Sequence, residues 1–118
     1  RSYDAWSLLG LVAAKEGRTE EALAALRESL RVKPDSEIGW RALARVEEEA
    51  GRLDDAERTI AEGLRRLPGS VPLLRRRAAL LHARGRLADA LGVWRSLLAG
   101  PDAPPEDRLG LARTLAAL

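Results

Sequence analysis

The sequence predicts an all-α chain of three 34-residue helix–turn–helix repeats and one C-terminal capping helix. One phrase occurs three times, as EGRTEEAL at 16–23, AGRLDDAE at 50–57 and RGRLADAL at 84–91. Hydrophobic residues make up 46% of the 118 residues and aromatic residues only 3%, so the core must be built from Leu, Ala, Val and Ile. Leu and Ala favour helices, and a fixed period of this size is typical of stacked repeats.

Identical residues recur at the same place in each repeat when the repeats are taken as 3–36, 37–70 and 71–104, followed by a C-terminal helix at 105–118. They are Gly17, Gly51 and Gly85; Arg18, Arg52 and Arg86; Ala22, Ala56 and Ala90; and Leu30, Leu64 and Leu98. Agreement at this many aligned positions would be rare by chance. We therefore interpret residues 1–118 as a single domain.

Each repeat is predicted to contain two helices that meet at its Gly-Arg pair. In the first repeat, the spacing i, i+3, i+4, i+7 predicts one face of a helix over about 4–16. The residues on this face are Trp6, Leu9, Gly10 and Ala13. Gly17 suits a left-handed C-terminal cap. A second helix is expected from near Glu20 to shortly before Pro34, because proline cannot continue a helix.

Small residues recur where helices would have to meet. They are Gly10, Ala44 and Ala78 in the first helices and Ala22, Ala56 and Ala90 in the second helices. Because a side chain no larger than a methyl group lets two backbones approach closely, we expect these residues at the helix contacts. Asp54 followed by Glu57 also fits a capping box. In the last helix, Leu111, Ala112 and Leu115 occupy the packing places of a fourth first helix.

Composition argues against catalysis, cofactors and metal ions. The chain has no Cys and a single histidine, His82, which is too few for a metal site of three or four ligands. The Gly85-Arg86 pair lacks the spacing of a phosphate loop. Apolar runs are too short to span a bilayer, so we expect no membrane partner. The basic residues are 18 Arg and 2 Lys, which indicates a bacterial protein; we expect it in the cytoplasm, with the periplasm as the alternative.

A recurring pattern of large, small and terminal residues runs through the three units. It consists of Trp6, Leu9, Gly10, Ala22, Leu26 and Pro34; then Trp40, Leu43, Ala44, Ala56, Ile60 and Pro68; and more loosely Leu74, Ala78, Leu81, Ala90 and Trp94. This pattern resembles the tetratricopeptide repeat over residues 3 to about 104. It departs at Arg77, where Leu is expected, and at Glu47, where a tyrosine-like residue is common. The resemblance implies a right-handed superhelical α–α solenoid that binds protein partners rather than catalysing a reaction.

The resemblance also implies which residues face a concave groove, namely the second, fifth, ninth and twelfth of each unit; we call these the inner-face positions. As peptide contacts we select Leu11, Ile38, Arg41, Arg45, Arg75, His82 and Arg113. Ala79, Glu106 and Leu109 occupy further inner-face positions. Because arginine forks match carboxylates, these residues suit an acidic or C-terminal peptide. The alternative interpretation is a solvated helix face that is merely rich in arginine.

One specific partner is argued against by the residues themselves. Co-chaperone-type repeats hold a C-terminal carboxylate with a clamp of Lys, Asn and Arg. The corresponding places here are Ser7, Leu11, Ala42, Pro72 and Arg76, of which only Arg76 matches. We therefore do not expect binding of a chaperone tail.

Three further interpretations remain open. An RNA-binding helical repeat is the alternative from another class, but the net charge is only +2 and the inner-face positions carry no aromatic residue for base stacking. The segment would also suit the interaction arm of a longer enzyme. Finally, Leu109, Leu111, Leu115 and Leu118 spread over more than one side of the last helix, which indicates self-association through the repeat ends.

Overall fold

The computed structural model describes residues 3–99 and 103–118, which form seven α-helices and, within these ranges, no strand. The helices are α1 (Tyr3–Lys15), α2 (Thr19–Val32), α3 (Glu37–Glu49), α4 (Leu53–Arg66), α5 (Val71–Ala83), α6 (Leu87–Leu98) and α7 (Pro105–Ala117). The chain divides into two compact units, unit 1 (Arg1–Pro68) with α1 to α4 and unit 2 (Gly69–Leu118) with α5 to α7. No described helix is long and apolar enough to cross a membrane.

Gly17, Gly51 and Gly85 form the turns between paired helices. Their φ angles are +78°, +78° and +79°, which is the left-handed region where a Cβ is costly. At the first turn the Gly17 N–H donates to the Ala14 carbonyl (3.1 Å) and the Arg18 N–H to the Ala13 carbonyl (2.8 Å). The same two bonds recur at the other two turns. This is the Schellman motif, and it confirms the predicted left-handed cap.

The helices that open the second and third repeats begin with serine caps. The Ser36 Oγ accepts from the Gly39 N–H (3.1 Å), and the Ser70 Oγ accepts from the Leu73 N–H (3.3 Å). Helix α4, in contrast, has Arg52 at its N-cap and no side-chain capping bond. The predicted capping box was therefore wrong, because α4 begins at Leu53 and Asp54 already lies inside the helix.

Small residues carry the close helix contacts of unit 1, as predicted. Ala22, Ala44 and Ala56 have no exposed surface. A Cβ placed on Gly10 would lie 2.7 Å from the Leu26 Cγ and 3.3 Å from the Ala22 carbonyl oxygen. Helix α1 therefore approaches α2 more closely than any larger side chain would allow. Within the unit α2 also packs on α3, and α3 on α4.

Unit 2 has its own core, in which Ala78, Leu81, Ala90 and Trp94 are buried together. Ala78 and Ala90 are fully buried, which confirms the small-residue prediction for the third repeat. On the other side of α6, the Trp94 ring covers Gly110 of α7 so closely that a Cβ on Gly110 would lie 2.4 Å from the Trp94 Cζ2. Helix α7 is therefore held against α6 through a glycine and a tryptophan.

The packing face of the last helix differs from the prediction. Ala112 and Leu115 are exposed, and Leu111 is half-buried. The buried residues are instead Asp107 and Thr114, which are 1% and 0% exposed. The reason is that α7 packs on the helices before it, α5 and α6. Ala112 and Leu115 occupy the places that Gly10 and Ala13 hold in α1, where both are buried.

Helix α1 has an exposed apolar face. Leu8, Leu9 and Val12 are 64%, 47% and 41% exposed, so Leu9 does not share the buried face of Gly10 and Ala13. In α3 the residues 34 positions after Leu9 and Val12 are Leu43 and Val46, and both are buried where α2 packs on α3. Leu9 and Val12 therefore occupy places that are buried in the second repeat.

Glu47 replaces the tyrosine-like residue of the repeat pattern and is buried at 2% exposure. Its Oε1 accepts a hydrogen bond from the Thr59 hydroxyl of α4 (2.5 Å), and its Oε2 lies 3.7 Å from the Arg27 guanidinium of α2. Burial raises the pKa of the Glu47 carboxyl, and the Thr59 hydrogen bond and Arg27 oppose that rise only in part. The second repeat thus accommodates the carboxylate with partners from two other helices.

Replacing Gly110 by alanine should loosen α7. The new Cβ would overlap the Trp94 ring, and overpacking of this kind costs about 1–3 kcal/mol. The matched control is Gly92→Ala in α6, where nothing lies within 4 Å of an added Cβ and alanine should add up to about 1 kcal/mol of stability. Urea unfolding followed by circular dichroism measures both changes. A Gly110→Ala variant as stable as Gly92→Ala would contradict the described α6–α7 contact.

The buried Glu47 predicts a pH dependence of stability. Since the pKa of Glu47 is raised in the folded chain above its ordinary value of 4.5, the folded chain holds that proton more tightly than the unfolded chain. The free energy of unfolding should therefore fall as the pH rises from the ordinary pKa through the raised pKa. The loss should be about 1.4 kcal/mol for each pH unit that separates the folded-state pKa from the unfolded-state pKa.

Glu47→Gln should flatten this pH dependence, since glutamine does not titrate and its oxygen still accepts from Thr59. Glu49→Gln, which changes a glutamate on the same helix with a side chain 67% exposed, should leave it in place. The measurement is the urea midpoint across the acidic to neutral range for all three chains. Parallel pH profiles for wild type and Glu47→Gln would refute the assignment.

Candidate functional site

Helix α7 is tied to α5 by two side-chain contacts. Asp107 accepts from Arg75 through both carboxylate oxygens, at 2.7 Å to Nε and 3.3 Å to one terminal nitrogen. The Asp107 side chain is 2% exposed and that of Arg75 is 35% exposed. Further along the same pair of helices, the His82 Nδ1 lies 2.9 Å from the Thr114 Oγ. These contacts determine the spacing between α5 and α7.

The hydrogen bonds of Thr114 decide which nitrogen of His82 carries a proton. The Thr114 hydroxyl donates to the Gly110 carbonyl (3.0 Å). A hydroxyl has only one hydrogen, so it must accept from the His82 Nδ1–H.

A cavity of about 350 Å³ lies in unit 2 and is lined by residues of α5, α6 and α7; we call it the α5–α7 cavity. It is lined by Ala79, His82, Trp94, Glu106, Leu109, Gly110 and Arg113. Leu109 is 49% exposed, so one wall is apolar and open to solvent. The cavity therefore combines one cation, one carboxylate, one imidazole and an apolar surface.

Trp94 forms the wall between the cavity and the core. It is 8% exposed, and its Nε1 is buried without a hydrogen-bond acceptor among the described residues. An unmade bond of this kind costs about 1–3 kcal/mol.

The predicted contact residues fall into two groups. His82 and Arg113 line the α5–α7 cavity together with three other inner-face residues, Ala79, Glu106 and Leu109. Arg75 lies on the same helix as His82, but its guanidinium is paired with Asp107. Five inner-face residues of unit 2 therefore line one cavity, and the guanidinium of a sixth, Arg75, is neutralised by a buried carboxylate.

The predicted contact residues of unit 1 lie on α1 and α3, which contact each other. Leu11 is half-buried, Ile38 is 60% exposed, and Arg41 is exposed. The Arg45 side chain is 53% exposed and lies 3.9 Å from the Glu49 carboxylate one turn later, a distance too long for a hydrogen bond. Both arginines can therefore reach a partner in solution.

Sequence reasoning missed Asp107, Thr114, Gly110 and Trp94 as parts of this site. A signal for Gly110 existed, because a glycine inside a predicted helix indicates a close contact. Asp107 and Thr114 carried no such signal, since polar residues near the start and on one face of a terminal helix are ordinarily solvated. No group of three or more potential metal ligands occurs within the described ranges.

Two solved structures resemble the chain closely in fold. The Arabidopsis OM64 TPR domain matches with a TM-score of 0.80 at 15% identity, covering 98% of this chain and 96% of that domain. The first TPR of Spaghetti (RPAP3), bound to the HSP90 peptide SRMEEVD, matches with a TM-score of 0.85 at 16% identity, covering 98% and 94%. No curated protein matches the sequence significantly.

A family model describes the same architecture from the sequence. The model of the tetratricopeptide repeat matches residues 13–80, which is more than half of the chain. These residues include the first two Gly-Arg turns and the buried small residues Ala22, Ala44, Ala56 and Ala78. The chain belongs to the tetratricopeptide repeat family.

Proposed function

We propose that this chain is a protein–protein interaction module that holds an acidic partner segment on its inner-face positions. The observation that carries the proposal is the α5–α7 cavity, where His82, Leu109 and Arg113 converge. Its volume of about 350 Å³ falls in the lower range of small ligand pockets. A site of this size takes one or two side chains of a peptide rather than a whole small protein.

Charge defines the partner's chemistry. Arg113 in the α5–α7 cavity and the exposed Arg41 and Arg45 on α3 each offer an arginine fork, the geometry that binds carboxylates bidentately. Ile38 on α3 and Leu109 on α7 are large apolar residues more than 45% exposed. A segment that alternates acidic and apolar side chains satisfies both kinds of surface.

Arg75 takes a different role in this proposal. Its ion pair with the buried Asp107 holds α7 against α5, so removing it would disturb the site through the fold. In unit 1 the arginines proposed to contact a partner are Arg41 and Arg45, with Leu11 and Ile38 as apolar support. In unit 2 the proposed contact is Arg113. We retain Arg75 as a residue that positions α7.

The neighbour bound to an HSP90 peptide is a repeat domain that holds a peptide ending in acidic residues. This supports a peptide as the kind of partner. Only Arg76 matches the clamp; the other clamp places of this chain hold Ser7, Leu11, Ala42 and Pro72, which cannot bind a terminal carboxylate by charge. We propose that its partner is an internal acidic segment rather than a chaperone tail, in a bacterial cytoplasm.

Replacing Arg41 and Arg45 together by alanine should weaken partner binding at least about tenfold, since charge-assisted hydrogen bonds contribute roughly 1.5–3 kcal/mol. The probe is the set of peptides enriched from a random display library on the wild-type chain. Isothermal titration calorimetry measures the affinity, and circular dichroism checks that helical content is unchanged.

The matched control is Arg58→Ala on α4, whose side chain is 73% exposed and which pairs with Asp55. It should leave the affinity unchanged. Enriched peptides without acidic residues, or equal affinities for the double variant and wild type, would overturn the groove assignment. The peptide SRMEEVD serves as a negative probe, and its tight binding would contradict the proposal of an internal segment.

We also propose that the chain self-associates through its repeat ends. The supporting observation is apolar surface on two helices, with Leu8 64% exposed on α1, Leu115 47% exposed on α7 and Leu118 66% exposed just after α7. Leu8→Glu combined with Leu115→Glu should reduce the average mass seen by light scattering at high micromolar concentration. A wild-type chain that stays strictly monomeric there would refute self-association.

A further inference from the structure

A second cavity lies in unit 1, away from the inner-face positions. It has a volume of about 390 Å³ and is formed by the C-terminal halves of α2 and α4 together with α3; we call it the arginine cavity. Its cations are Arg27 and Arg31 of α2 and Arg66 of α4. None of Leu11, Ile38, Arg41 and Arg45 lines it, so it is not part of the proposed groove.

The floor of the arginine cavity is apolar. It is formed by Leu30, Pro34, Trp40 and Leu43. Leu30 and Leu43 are 6% and 4% exposed, and Trp40 is 9% exposed. The indole Nε1 of Trp40 already donates to the Pro34 carbonyl (2.8 Å), so the ring presents no unsatisfied polar group. A ligand must therefore offer an apolar group to this floor.

The arginines of the rim keep donors for a ligand. Arg27 lies 3.7 Å from Glu47, and Arg66 lies 3.9 Å from Glu62; both distances are too long for hydrogen bonds. Arg31 pairs with Glu28 on the exposed side of α2. Because a guanidinium has five N–H donors, each of the three can add a bond to an anion while its present neighbour stays in place.

The nearby carboxylates neutralise the arginines of this cavity only in part. Glu47 is buried behind Arg27 with its side chain 3% exposed, so it cannot reach into the cavity. Glu62 is shared between Arg66 and Arg65, which it contacts at 3.0 Å. Two arginines thus share one carboxylate at the α4 side of the cavity, and Arg66 is the one that faces the apolar floor.

We propose that the arginine cavity binds a peptide segment in which one apolar side chain is flanked by two carboxylates. The apolar side chain would rest on the Trp40 floor, and the flanking carboxylates would accept from Arg31 on one side and Arg66 on the other. This is a second peptide site, whose arginines lie on α2 and α4 and whose lining includes none of the inner-face positions of α3. It does not depend on the groove proposed above.

The test is a two-dimensional NMR titration of the full chain with acetyl-Glu-Leu-Glu-amide. The Trp40 indole N–H signal should shift progressively, since its ring forms the floor, while the Trp6 and Trp94 indole signals stay in place. The control peptide acetyl-Gln-Leu-Gln-amide has the same shape without charge and should cause no shift. Equal shifts with both peptides, or a shift of Trp94 instead of Trp40, would overturn the proposal.

Neighbouring arginines provide matched variants. Arg66→Ala should weaken binding of the acidic peptide about fivefold or more, as expected for a lost charge-assisted hydrogen bond, whereas Arg65→Ala, which removes the other partner of Glu62, should change it less than about twofold. A second pair consists of the variant Arg31→Ala, which should weaken binding, and its control Arg58→Ala, which should not. Their side chains are 74% and 73% exposed, and each is bonded to an acid three residues earlier.

The same titration separates this proposal from the groove. Arg41→Ala combined with Arg45→Ala should leave the Trp40 response unchanged, because neither residue lines the arginine cavity. Loss of the Trp40 response in that double variant would assign the peptide to the groove and overturn a second site. Equal losses for Arg66→Ala and Arg65→Ala would reduce the effect to surface charge and also overturn it.

Discussion

The close approach of paired helices at small residues is the contact on which the rest of this structure depends. Leu26 covers Gly10 between α1 and α2, and Trp94 covers Gly110 between α6 and α7, each at a distance that leaves no room for a Cβ. A single helix pair cannot bury its apolar stripe alone, so each pair requires a neighbour. A larger residue at any of these positions would separate the backbones and expose the leucines beside them.

Polar residues at packing positions are tolerated because each has a partner from another helix. Glu47 receives a hydrogen bond from Thr59, Asp107 pairs with Arg75, and Thr114 bonds with His82. A buried polar group without a partner costs far more than one with a partner. These pairs also select the geometry of the helices, because each contact is directional where apolar packing is not. The buried polar contacts of unit 2 therefore shape the same space that the proposed partner would enter.

Arginine has three different roles in this chain, and exposure alone does not distinguish them. Arg75 pairs with a buried carboxylate, Arg58 is bonded to an acid on its own helix, and Arg66 adjoins an apolar floor. A ligand gains most from the third kind, because the apolar floor excludes water from one side of the cation and strengthens its interaction with an anion. The α5–α7 cavity and the arginine cavity differ accordingly. The first combines an arginine, a carboxylate and an imidazole, and the second combines three arginines with an apolar floor.

The amino-acid sequence alone determined the features that depend on local backbone preference and on periodicity. These are the helix pairs, the glycines at positive φ in the turns, and the burial of the recurring alanines. A Cβ is costly at the glycine positions, and only a small side chain fits at the alanine positions. Only the tertiary structure decided which face of α7 is buried, that Asp54 does not cap α4, and that Arg75 is neutralised while Arg66 faces a cavity. Those outcomes depend on side chains that are distant in sequence, whose meeting follows from helix packing and leaves no local pattern in the residues themselves.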